Sequence, residues 1–218
     1  AFGLNGQTVL APRAIGQSAS MPIRSFLLIN LSKEGGLMAS RSDRVRFTIL
    51  CEGYSDYYFI KAYLESAMGS RKVECFRSQT VPGCGSGEQQ VQQLFPKELA
   101  SHNKRPQREN HWLVVAIDGD GYSLDERRSQ LRRKAGTISI PDERLAIVIP
   151  CRNLESWFHW IDTGTIEEHK THKNTYRDVK PTQYGRQLRE RCHHARIEFL
   201  PPSLKDACEQ WRKIADRL

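Results

Sequence analysis

From residue 45 onward the chain switches repeatedly between two hydrophobic rhythms. Val45, Phe47, Ile49 and Leu50 first alternate with polar residues and then run on, which predicts a strand over 45–51. Phe59, Ile60, Tyr63, Leu64 and Met68 recur at helical spacing behind Gly53, with Ser55 or Asp56 placed to cap the first turn. A second strand is predicted over 72–76. A helix starts near residue 88 and is interrupted or ends near Pro96, since proline lacks the amide that a helix interior needs. Apolar runs at 111–117 and 145–149 predict two more strands, each followed by a helix, over 124–134 and 153–161. Two further helices are expected at 183–193 and 203–218. Near-continuous Val, Ile and Leu runs alternating with helices mark a mostly parallel sheet covered on both faces, so the expected fold class is α/β.

Residues 1–40 break this pattern. They are rich in Gly, Ser, Ala and Pro, nearly devoid of acids, and carry one short apolar run at 26–31 that is far too short to span a bilayer. They read as an irregular extension, a linker or an upstream-derived segment, with Met21 and Met38 as internal starts, and they lack the ordered regions of a secretory signal. The 218 residues suit one domain with an appendage. No internal repeat or low-complexity tract is found.

Composition narrows the partners. A net charge of +8 favours a polyanion. The six cysteines are scattered without a CxxC pair, which predicts reduced thiols in a cytoplasm and no disulfide framework. Cys192-His193-His194 has no second half at ligand spacing and does not make a zinc site.

The candidate chemistry is acidic. Ile117-Asp118-Gly119-Asp120-Gly121 follows a strand directly, and in an extended segment residues i and i+2 point the same way, so both carboxylates are expected to face one volume. Two such charges roughly 4 Å apart repel by about 4 kcal/mol at an effective dielectric near 20. A proton, a basic side chain or a hard divalent cation must offset that. Glu52 ends the first strand, Asp56 follows it, and Glu155 lies beyond the fourth strand. In parallel sheets the carboxyl ends of strands line the binding crevice, so these acids are expected to converge. Each also has a plainer reading: turn chemistry for Asp118 and Asp120, the helix dipole for Asp56, a cap or surface acid for Glu155. Trp157 and Phe158 read as core. The Gly83-Cys84-Gly85-Ser86-Gly87 loop offers backbone amides to a phosphate, or serves as an ordinary connection.

These motifs resemble a known family. Ile49-Leu50-Cys51-Glu52-Gly53-Tyr54-Ser55-Asp56 is similar to the first motif of the Toprim fold, and Ala116-Ile117-Asp118-Gly119-Asp120 to its second. The Pro-x-Arg-x-x-Glu-x-Trp run from Pro150 to Trp157 resembles stand-alone Toprim proteins near the overcoming-lysogenization-defect (OLD) nucleases of prokaryotic immunity. The resemblance spans about 45–162. It implies a Toprim-like Rossmannoid catalytic domain at 41–162, with a basic helical part at 163–218 packed on it or completing it. It also implies Mg²⁺ or Mn²⁺ held by Glu52, Asp118 and Asp120, with Asp56 and Glu155 assisting or holding a second ion. A lysine near the end of the domain is implied too, for which Lys205 or Lys180 stands. The partners implied are nucleic acid, an ABC- or SMC-like ATPase encoded alongside, and a second copy of the chain; no membrane is implied.

Arg127, Arg128, Arg132, Arg133 and Lys134 follow the aspartates on one helix, and Arg186, Arg189, Arg191 and Arg196 add charge later. With Arg152 as a phosphate clamp, they form the expected nucleic-acid face, giving affinity without sequence specificity. No Gly-x-x-x-x-Gly-Lys-Ser/Thr loop is present. Haloacid-dehalogenase phosphatases also carry Asp-x-Asp, but their pair opens the domain, whereas here another strand with its own acid precedes it. A Toprim module that binds without cutting is the non-enzyme alternative.

Overall fold

The computed structural model describes residues 44–69, 71–80, 82–83, 85–106, 110–141, 143–194 and 200–217, with only the backbone at His193 and His194. The expectations for residues 1–40, Cys84, Arg196 and the two histidine side chains lie outside the described residues. Four strands, β1 (Arg44–Leu50), β2 (Lys72–Arg77), β3 (His111–Ala116) and β4 (Leu145–Val148), form one sheet in the order β2-β1-β3-β4. Every pairing is parallel. The helices are α1 (Tyr54–Ala67), α2 (Gly87–Asn103), α3 (Leu124–Ala135), α4 (Leu154–Thr163), α5 (Pro181–His194) and α6 (Pro202–Asp216). The protein is therefore α/β, a Rossmannoid sheet flanked by helices with a helical C-terminal part.

The strand alternation decides which helix covers which face. Val45, Phe47, Ile49, Trp112, Val114, Ala146 and Val148 point to one side, where α1, α4, α5 and α6 meet them through Phe59, Trp157, Leu188 and Trp211. Leu50, Leu113, Val115, Ile117 and Leu145 point to the other, under Val91, Phe95 and Leu99 of α2 and Leu131 of α3. Among the described residues beyond 163, Tyr176, Tyr184, Leu188, Leu204, Trp211 and Ile214 thus complete the core on the first face.

Two expectations fail for identifiable reasons. Pro96 neither breaks nor ends its helix: it lies inside α2, which runs to Asn103. An interior proline costs about 3 kcal/mol. Val91, Leu94, Phe95 and Leu99, each worth about 1.5–3 kcal/mol when buried, outweigh it. The cysteines are not all reduced either. Cys192 of α5 and Cys208 of α6 form a disulfide, with Cα atoms 5.7 Å apart, because the two helices pack side by side. Cys51, Cys75 and Cys151 are free. Among the described residues no helix is long and apolar enough to cross a membrane.

Candidate active site

The chain leaves β1 toward β2 on one side and leaves β3 toward β4 on the other, so the strand order reverses between β1 and β3. A crevice opens at the carboxyl ends of strands where the order reverses. Glu52 follows β1 and Asp118 follows β3, and they meet there. A Glu52 carboxylate oxygen accepts the Asp118 amide at 2.8 Å. Gly53 caps α1 in place of Ser55 or Asp56, and Asp56, at the third helical position, accepts the Gly53 amide at 2.9 Å. Gly87, opening α2, lies so close that a Cβ would stand 2.7 Å from Glu52 Cβ.

The Asp-Gly-Asp loop is held by its own backbone. Gly119 N–H donates to Pro150 O at 2.8 Å and Asp120 N–H to Arg152 O at 3.2 Å, prolonging the β3–β4 pairing beyond the strands. A Cβ on Gly119 would lie 2.1 Å from Cys151 O, so only glycine fits. Asp120 has φ 50, in the left-handed region. The extended alternation that would aim both aspartates the same way therefore ends at Gly119. Asp118 turns inward, within 3.6 Å of Lys173 Nζ. Asp120 is more exposed, its carboxylate 3.9 Å from Arg127. The pair still shares one electrostatic field with Glu52.

That field is strongly negative. Burial, reinforced by Asp56 and Asp120, pushes Glu52 up to about 7. Burial and then Glu155 raise Asp56 to about 6. Burial, with Asp56 and Glu52 adding to it, holds Asp118 well above the ordinary carboxylate range. Glu155, in the first turn of α4, is thus within reach of Asp56, and all five predicted acids gather at one edge.

The basic residues are arranged differently from the sequence expectation. Arg127 belongs to no exposed face: it is fully buried, with Glu88, Gln130 and the Gly119 carbonyl as partners and its guanidinium 4.8 Å from the Tyr122 ring. It fastens the aspartate loop to α2 and α3, and its burial keeps it from a phosphate. Arg128 is half-buried and gives Nη2 to both carboxylate oxygens of Asp206, at 2.7 and 2.6 Å. Arg132, Arg133 and Lys134 are exposed, as a solvent-facing row requires. Arg152 lies over Gly121, where a Cβ would stand 3.4 Å from its guanidinium.

Lys205 is exposed on α6, beside the Asp206 that holds Arg128. The lysine brought against the acids is Lys173, in the connection between α4 and α5. Burial lowers its pKa, but Asp118, Glu155, Asp120 and Glu52 outweigh that and hold it above its ordinary value. Arg77, ending β2, also acts on Asp56 and stacks on Tyr54 with its guanidinium carbon 4.2 Å from the ring centre. Its place at the end of β2 is a local signal of the same kind as the acids carry, whereas Lys173 carries none.

The floor between Asp56 and Asp118 is apolar, lined by Phe59, Ala116, Val148, Leu154 and Trp157. Such a floor keeps the dielectric low under the carboxylates and strengthens whatever they bind. Searches against family models, curated proteins and solved structures return no match to this chain.

Proposed function

We propose that this protein is a divalent-metal-dependent nuclease of Toprim type that hydrolyses phosphodiester bonds in DNA or tRNA. The observation that carries the reading is the meeting of Glu52, Asp56, Asp118, Asp120 and Glu155 at the switch point of a parallel sheet. The donor set is all carboxylate oxygen, which suits Mg²⁺ or Mn²⁺. Burial, with the neighbouring carboxylates adding to it, raises Glu52, Asp56 and Asp118, and a bound dication would offset that cost. Glu52, Asp118, Asp120 and Glu155 would hold the metal, which would supply Lewis acidity and make a bound water more acidic. Asp56 fixes the first turn of α1 and adds charge. Lys173 neutralises Asp118 and faces the phosphate side of the crevice, while Arg152 and the exposed Arg132, Arg133 and Lys134 meet the flanking backbone. By its resemblance to OLD-type effectors, the protein acts in the cytoplasm, in anti-phage defence with an ABC- or SMC-like ATPase, as a monomer or homodimer.

One observation favours a second reading, a module that binds nucleic acid or the ATPase without cutting: Lys173 and Arg127 already approach Asp118 and Asp120. Incubation with plasmid DNA and with total tRNA in Mg²⁺ or Mn²⁺, with and without the neighbour-encoded ATPase, separates the two. Metal-dependent cleavage lost in Glu52→Ala and Asp120→Ala supports the nuclease. Binding without cleavage under every condition supports the module.

A further inference from the structure

One helical turn beyond Glu155, on the same face of α4, stands His159. Gly164, with φ 72, turns the chain off the end of α4 into the connection that carries Glu167 and His172. His159 Nε2 and His172 Nε2 both face one oxygen of Glu167, at 3.5 and 3.8 Å. The two rings lie nearly parallel, with centres 4.0 Å apart. These separations are too long for hydrogen bonds. They approach the roughly 3.3 Å edge of a tetrahedron whose ligands stand about 2.0–2.1 Å from a central metal.

The remaining atoms of Glu167 and His172 are already engaged in the way metal ligands require. The other Glu167 oxygen takes Lys170 Nζ at 2.6 Å, which leaves the oxygen facing the imidazoles free. The His172 ring donates to the Glu167 backbone carbonyl, yet its Nε2 is buried and has no hydrogen-bond partner. A ring whose far nitrogen bonds a backbone carbonyl presents its Nε2 lone pair, the arrangement in which metal-bound histidines are held.

We infer that His159, Glu167 and His172 form a binding site for a first-row transition-metal dication of the Zn²⁺ class. Two imidazoles and one carboxylate suit Zn²⁺ over the hard Mg²⁺, and three protein ligands leave a fourth position for water. The site is separate from the carboxylate cluster and stands whether or not that cluster cuts nucleic acid. It ties the connection to α4 next to Lys173, the residue that follows His172 in sequence, so the metal fixes the segment that presents Lys173 to Asp118.

The test uses the full chain, stripped of metal and held in excess Mg²⁺ so that the carboxylate cluster is satisfied, and titrated with Co²⁺. One equivalent should give the visible bands of tetrahedral cobalt, without the charge-transfer band of a thiolate ligand, and Zn²⁺ should displace it. His159→Ala and His172→Gln should weaken binding by about 100-fold or more, since even outer-shell partners cost roughly 10–100-fold. Glu52→Ala should leave it unchanged. In the unaltered protein Zn²⁺ should protect His159 and His172 from diethylpyrocarbonate, a readout that needs no variant to fold. Absence of the tetrahedral bands, a thiolate band, loss of binding in Glu52→Ala, or no protection of either histidine overturns the site.

Discussion

Replacing Glu52 by glutamine removes one charge from the cluster and keeps an oxygen that can accept the Asp118 amide. Glu52 has its pKa raised from 4.5 to about 7, chiefly by burial. A carboxyl whose folded pKa lies above its unfolded one binds protons more tightly when folded. Its stabilising contribution is therefore complete below about pH 4.5, is lost as pH rises through about 7, and the full penalty persists above that. At about 1.4 kcal/mol per pKa unit the penalty is about 3 kcal/mol. Asp56 and Asp118 repel the same charge and relax when it is removed. His111 works in the opposite direction: burial lowers it to about 4, and its contribution to stability grows as pH rises toward 6.5. The raw pH profile of the protein carries both effects together with those of Asp56 and Asp118, but the difference between the variant and the unaltered protein cancels His111. Urea unfolding in chelator from pH 4.5 to 8 should show Glu52→Gln gaining about 2–3 kcal/mol relative to the unaltered protein across that range. Mg²⁺ or Mn²⁺ at pH 8 should then stabilise the unaltered protein and leave the variant behind. A difference that does not change with pH would mean that Glu52 is not a strained buried charge, and the electrostatic case for a cation would fail with it.

Three further outcomes are expected. Gly119→Ala drives a Cβ into Cys151 O and breaks two loop hydrogen bonds, costing about 2–5 kcal/mol by urea unfolding and abolishing cleavage; unchanged stability would show that the loop yields freely. Arg127→Ala should cost about 3 kcal/mol, the low end for a broken buried pair because Glu88 is partly exposed, whereas Arg132→Ala and Arg133→Ala should leave stability alone. Each of the latter two should instead lower the salt dependence of nucleic-acid binding by about one phosphate contact, read from affinity against salt concentration. Lys173→Ala should reduce cleavage by about 100-fold while changing stability by less than about 1 kcal/mol, and Lys205→Ala should do neither; equal effects would return the role to Lys205.

The layering of the fold was legible because the relevant signals are local. The segments at 45–51 and 72–76 and the apolar runs at 111–117 and 145–149 mark the four strands, and the alternation within 45–51 already separated the residues that now face the two helix layers. The length of α2 was not legible, since Pro96 speaks only of its own missing amide, while Phe95 and Leu99 are buried by a sheet distant in sequence. The Cys192–Cys208 bond was hidden for a similar reason: a spacing of 16 residues resembles no motif until α5 and α6 lie side by side.

At the site, the acids were legible and the bases were not, because they are positioned by different means. Glu52, Asp56, Asp118, Asp120 and Glu155 all lie within a few residues of a strand end, and a parallel sheet collects strand ends on one edge whatever else the chain does. The orientation of Asp120 escaped the period-two rule because the β3–β4 pairing runs on through Gly119 and forces φ 50 on the next residue. Arg127 looked like one cation in a solvated row, yet its place on α3 faces inward over the aspartate loop, where Glu88 waits on α2. Lys173 belongs to a connection without periodicity, and only the fold-back after Gly164 carries it to Asp118. A charge near a strand end can be assigned from sequence, then, while a charge delivered by a helix face or a returning loop takes its role from the partner it meets. That is why replacing Arg127 should destabilise the protein and replacing Lys173 should silence it, although both are single cations near the same pair of aspartates.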